Sequence, residues 1–101
     1  MNIKNATPKE LMPIIKNICS QFLITFEELI GDKTQNLDTK EARAIICYYI
    51  FAVNGYSPAS LGRILRKSRS NVYNTSKRVS DEMETNKNYK LKIERIINLL
   101  K

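Results

Sequence analysis

Asn71 and Asn74 stand three residues apart in the stretch SNVYNTSKRV, Ser70 to Val79. On a helix that spacing makes neighbours of two amide side chains. An amide can form two hydrogen bonds with the edge of an adenine, worth about 1–3 kcal/mol of discrimination. The charges around the pair suit phosphate: Arg63, Arg66, Lys67, Arg69, Lys77 and Arg78 all fall between Ser60 and Val79, with no Asp or Glu among them. The chemistry of such a set is recognition of a polyanion, with cations for the backbone and amides for base edges.

Charge patterning along the whole chain supports the same view. From Ala42 to Ser80 there are seven basic residues, Arg43 being the first, and no acid. The rest of the chain carries ten basic and ten acidic residues, so the net charge of +7 arises wholly in that window. A local basic block of this kind, in a chain of pI near 9.6, reads as an electrostatic footprint for nucleic acid. An anionic membrane fits less well, and a solvated face without a partner is the plain alternative.

Other functions lose their reagents. The chain has no histidine, which excludes Ser-His and Cys-His nucleophilic pairs and removes the commonest nitrogen ligand for zinc. Its two cysteines, Cys19 and Cys47, stand apart in apolar settings and read as buried thiols. Three glycines cannot make a phosphate-cradling loop, and the pairs Glu27-Glu28 and Asp81-Glu82 diverge by about 100° on a helix. We therefore expect no enzyme, no cofactor and no metal. The longest apolar run, Ala44 to Val53, has ten residues against the ~18 or more that a membrane span needs. With no secretory leader pattern at the amino terminus, a cytoplasmic protein is expected.

The elements that must position the basic stretch follow from start and stop signals. At 101 residues, with thirteen Ile and nine Leu, the chain suits one all-α domain of about six helices. Thr7-Pro8-Lys9-Glu10 has capping-box spacing, and Leu11, Ile14, Ile15, Ile18 and Phe22 follow at helical intervals; Pro13 lies early in that helix. Thr25-Phe26-Glu27-Glu28 opens a short second helix that Gly31 can stop in a left-handed conformation. Asp32 to Leu37 reads as a loop. A third helix starts at Asp38 or Thr39 and runs to Asn54-Gly55, with Ile45, Ile46, Tyr49, Ile50 and Val53 facing the core.

Ser57-Pro58 caps a helix of about eight residues through Leu61, Ile64 and Leu65. The turn Arg66-Lys67-Ser68 leads to a longer helix, about Arg69 to Glu84, that buries Val72, Ser76, Val79 and Met83. Asn86 to Asn88 break the chain before a last amphipathic helix carrying Tyr89, Ile93, Ile96, Ile97 and Leu100. A short helix, a tight turn and a longer helix with one polar face is the layout of a helix-turn-helix, here about residues 57–84. Ser70, Asn71, Tyr73 and Asn74 then share the polar face with Arg69, Lys77 and Arg78, beside the turn residue Ser68.

At these residues the chain resembles a known family. The runs ICSQFLITFEELIG, ARAIICYYIFAVNGYSPASLGRIL and SNVYNTSKRV, with the closing amphipathic helix, look like the carboxyl-terminal DNA-binding domain of the bacterial replication initiator DnaA, over about Pro13 to Leu100. The resemblance implies a Trp-repressor-like, DnaA-domain-like fold. It assigns Arg43 to the minor groove and Leu61-Gly62 to the end of the first motif helix. Ser70-Asn71 before Val72 would open the recognition helix, with Asn74 facing the groove and Lys77-Arg78 near the backbone. The turn Arg66 to Asn71 is one residue shorter than the family's and lacks its Asp and His, and Ala42 replaces the proline before Arg43.

The expected partner is double-stranded DNA, bound by a monomer, with Arg63, Arg66 and Lys67 on phosphates. The resemblance further implies a stand-alone regulator or accessory factor of replication or transcription, without the initiator's ATPase module, on a bacterial nucleoid. The alternative is a protein-interaction adaptor that mimics the initiator domain and binds a replication partner.

Overall fold

The computed structural model describes residues 7–31 and 36–100. They form six helices in the order α1 (Pro8–Gln21), α2 (Phe26–Ile30), α3 (Leu37–Cys47, running on without a break into a wider turn at Tyr48–Val53), α4 (Pro58–Leu65), α5 (Arg69–Thr85) and α6 (Lys87–Asn98). No β-strand occurs among the described residues. None of the helices there is long and apolar enough to cross a membrane.

Side-chain caps fix most of the helix starts. Thr25 and Glu28 form a complete capping box at α2, each side chain accepting from the other's backbone N–H at 3.1 Å. Ser57 Oγ accepts from Ala59 N–H at α4, and Ser68 Oγ accepts from Asn71 N–H at α5. The box expected at Thr7 does not close. The Glu10 N–H donates to the Thr7 carbonyl instead, and Thr7 Oγ1 lies a long 3.5 Å from Glu10 Oε1.

Three boundaries differ from the sequence reading. Asn36, and not Asp38 or Thr39, caps α3, its side chain accepting from Thr39 N–H at 2.8 Å; Asp38 becomes a first-turn acid, which complements the helix dipole. Gly31 has φ −76° and leaves α2 extended, so its expected left-handed stop is not formed. Asn86 alone separates α5 from α6: its N–H closes α5 on Glu82 O while its side chain accepts from Tyr89 N–H. The expected loop over Asp32 to Leu37 lies outside the described residues, except that Asn36 caps α3 and Leu37 opens it.

The core gathers around α3. Leu11, Ile15 and Ile18 of α1, Leu29 of α2, Leu61 and Leu65 of α4, Val72 of α5 and Ile93 of α6 are fully buried against Ala42, Ile45, Ile46 and Ile50. Helices α1 and α2 cover one side of α3, and α5 covers the other while also packing on α4 and α6. At Tyr48–Val53 the helix widens to π geometry, with Asn54 N–H reaching back five residues to Tyr49 O. The extra residue in that turn displaces the apolar register. Val53, expected inside, is half exposed, and Tyr49 is only partly buried. Gly55, at φ 75°, then ends the helix as the sequence implies.

Candidate nucleic-acid interface

Helix α5 buries Val72, Ser76 and Val79, a stripe at spacings of four and three that docks it on α3. That choice of inward face dictates the outward one. Arg69, Ser70, Asn71, Tyr73, Asn74, Lys77 and Arg78 are all exposed. Met83 is partly buried rather than fully.

The outward residues divide between two flanks. On one, Asn71, Thr75 and Arg78 follow each other at helical spacing and line a hollow shared with Lys67 of the turn and Lys40, Arg43 and Ala44 of α3. Four cations from three elements line it and no carboxylate does. On the other flank Arg69, Ser70, Tyr73 and Asn74 line a hollow with Pro58 at the start of α4. Tyr73 is fixed there edge-on against Phe51, ring centroids 5.7 Å apart at 60°. The two asparagines therefore face different surroundings, and Asn71 also accepts from Thr75 Oγ1 at 3.5 Å. Lys77, four residues after Tyr73 and three after Asn74, falls on this second flank.

The turn that aims α5 rests on a close backbone contact. Arg66 ends α4 in a left-handed conformation, φ 59° and ψ 42°, and Lys67 N–H bonds Gly62 O at 2.9 Å. Gly62 is buried under the turn, where a Cβ would stand 2.5 Å from Lys67 O. Only glycine leaves space for that crossing. Ser68, expected at the interface, spends its hydroxyl on capping α5.

Other expected site residues lie elsewhere. Arg43 turns partly inward: its Nη2 donates to the carbonyl of Leu29 near the end of α2, while Nε is buried without a hydrogen-bond partner among the described residues. One nitrogen is thus committed to holding α2 on α3, although the side chain still lines the basic hollow. Arg63 and Arg66 line a separate, apolar hollow between α1, α2 and α4. Sequence reasoning missed Lys40 and Thr75. Lys40 sits three residues before Arg43 on the same face of α3, a spacing that could have found it, but Glu41 closes the acid-free window just after it. In the structure Glu41 pairs with Lys92 of α6, and with Glu82 it lines an adjoining hollow that also takes in Lys40 and Arg78.

Cys47 is buried beneath this face, and burial pushes its thiol up to about 12, against the opposing pull of the Arg43 and Arg78 charges. Cys19 is likewise buried and pushed up to about 11 by burial. Burial thus works against thiolate formation at both sites.

No protein family, curated protein or solved structure matches this chain.

Proposed function

We propose that this protein binds double-stranded DNA, with α4, the Arg66–Ser68 turn and α5 acting as a helix-turn-helix and α5 entering the major groove. The observation that carries this reading is the convergence of Lys40, Arg43, Lys67 and Arg78 on one hollow beside α5, with no carboxylate lining it. Side chains from α3, the turn and α5 meet there, so the basic surface is wider than one helix. Such a surface tracks a phosphate backbone, while the exposed amides beside it suit base edges. The motif residues Leu61-Gly62 and Ser70-Asn71-Val72 that resemble the replication initiator's DNA-binding domain support the same reading.

In this reading Asn71 and Asn74 read bases from the two flanks of α5. Arg69, Lys77 and Arg78 hold the backbones on either side, and Lys40 with Lys67 extends the grip onto one strand. The protein acts as a sequence-specific regulator or accessory factor of replication or transcription. Selection from a random duplex pool, followed by titration at several salt concentrations, tests it. With about five phosphates neutralised, log K should fall with log[salt] at a slope of about −4.5, and Lys40→Ala or Arg78→Ala should each flatten it by about 0.9. A slope near zero refutes the proposal.

A further inference from the structure

The side of the molecule formed by α1, α2 and α4 carries features that DNA binding does not use. A hollow of about 400 Å³ opens there, floored by Pro8, Met12, Phe26, Ile30 and Ile64 and flanked by Arg63 and Arg66. A second hollow shares Met12 and Phe26 with it and continues past Lys16 and Ser20 to Leu23. Pro8, Met12, Lys16 and Ser20 are four residues apart, so together the hollows follow one stripe of α1. At 1.5 Å per residue that stripe is about 18 Å long, the length of three helical turns. A small molecule would occupy one end; an elongated partner would occupy both.

Leu23 marks the far end of the groove. It is 92% exposed, and it holds a left-handed backbone at φ 57° that leucine seldom adopts. Ile24 N–H fixes it there through a 3.0 Å bond to Cys19 O. The left-handed backbone closes α1, Leu23 N–H bonding Ser20 O at 3.1 Å beside the Ile24–Cys19 bond; the helix stop thereby leaves an exposed leucine side chain at the end of the groove, placed to meet something docked in it.

Charge selects the occupant. Lys16, Arg63 and Arg66 line the groove against a single acid, Glu27. We propose that the groove receives an acidic amphipathic helix of a partner protein, its apolar stripe on Met12, Phe26 and Ile64 and its carboxylates towards Lys16, Arg63 and Arg66. A second copy of this chain does not fit. Its acid-rich helical segment, Asp81 to Glu84 at the end of α5, has Met83 packed against its own core, and α6 is predominantly basic. The proposal shares α4 and Arg66 with the helix-turn-helix of the DNA reading, but no residue of α5 lines the groove.

The test is a titration of the ¹⁵N-labelled full chain with a synthetic 16-residue peptide, ends blocked, bearing Leu at alternating three- and four-residue spacing and Glu elsewhere. A second peptide has Lys for every Glu, and a third is a shuffled control. Saturable shifts confined to α1, α2 and α4, at least tenfold weaker binding of both controls, and a similar loss in Leu23→Asn and in Met12→Asp are expected. Equal binding of the Lys peptide, shifts centred on α5, or unchanged affinity in both variants would overturn the proposal. So would tighter binding to phosphatidylglycerol vesicles than to the peptide, or dimerisation that Met12→Asp abolishes. Duplex DNA titrated into wild type and Leu23→Asn should bind both equally; failure there, with peptide binding intact, removes the DNA reading alone.

Discussion

Lys67 closes on Gly62 through both ends of its own residue: its N–H donates to the Gly62 carbonyl at 2.9 Å, and its carbonyl oxygen lies 2.5 Å from where a Cβ on Gly62 would stand. The angle between α4 and α5 therefore depends on a missing methyl group. Gly62→Ala forces backbone, not a flexible side chain, to shift, and overpacking of that kind costs about 1–3 kcal/mol. Urea unfolding should show that loss. DNA affinity should fall further than stability explains, because the turn aims α5; an alanine variant with wild-type stability would show that the turn has room to move.

Asn71 and Asn74 lie on different flanks of α5. Each alanine substitution should therefore relax selectivity at a different base position, by about 1–3 kcal/mol. The salt slope should not change, since neither residue carries charge. Repeating the duplex selection with each variant measures this, and loss of preference at one shared position would contradict the two-flank arrangement.

Leu23 is a strained and exposed residue whose replacement should help the free protein. Asparagine tolerates the left-handed region far better than leucine does. Leu23→Asn is expected to raise stability by roughly 0.5–1 kcal/mol, a gain of a few degrees in Tm. A thermal melt that shows a loss would mean that the leucine makes contacts its exposure does not reveal.

The Cys47 thiol is pushed from 9.0 up to about 12 by burial. A folded pKa above the unfolded one means that the unfolded chain ionises first as pH rises. The contribution of the protonated thiol is therefore complete below pH 9 and is lost between pH 9 and about 12. In that window stability should fall by about 1.4 kcal/mol per pH unit for this group. Cys47→Ala should flatten the decline between pH 9 and 10.5 relative to wild type, as measured by urea unfolding; parallel curves would show that the thiol is not shielded as its burial implies.

Sequence legibility followed the range of the interactions involved. Local signals carried far: the Thr25–Glu28 box, the Ser57-Pro58 start, the Gly55 stop and the buried stripe of α5 all depend on neighbours within four residues. The π turn at Tyr48–Val53 was not legible, because an apolar segment without polar punctuation fits either helical register until its neighbours pack on it. Gly31 illustrates a permissive residue, able to turn left-handed but left extended when α2 exits towards α3. Left-handed helix ends fall instead on Leu23 and on Arg66, the latter where the chain crosses Gly62.

For the interface, the polar face of α5 could be read from its periodicity, whereas the grouping of the cations could not. Arg63 and Arg66 belong to the same basic run as Arg69, yet they line the α1–α2–α4 groove, because they sit on α4 and its left-handed end, before the turn that redirects the chain into α5. Lys40 joins Arg78 only through the packing of α3 on α5.

Helix α5 also runs its charges against its own backbone. Arg69 stands in the first turn, with no acid there, while Asp81, Glu82 and Glu84 crowd the far end, where no base balances them. Peptide dipoles favour the reverse order by about 0.3–1 kcal/mol per charge. Exchanging the two ends would thus make a sturdier helix that repels a phosphate chain: if α5 binds DNA as proposed, thermal robustness and polyanion affinity trade off along this one element. A polyanion lying across the Arg69 end would supply the negative charge that the helix start lacks, so the protein should be harder to melt with its partner than its own composition allows.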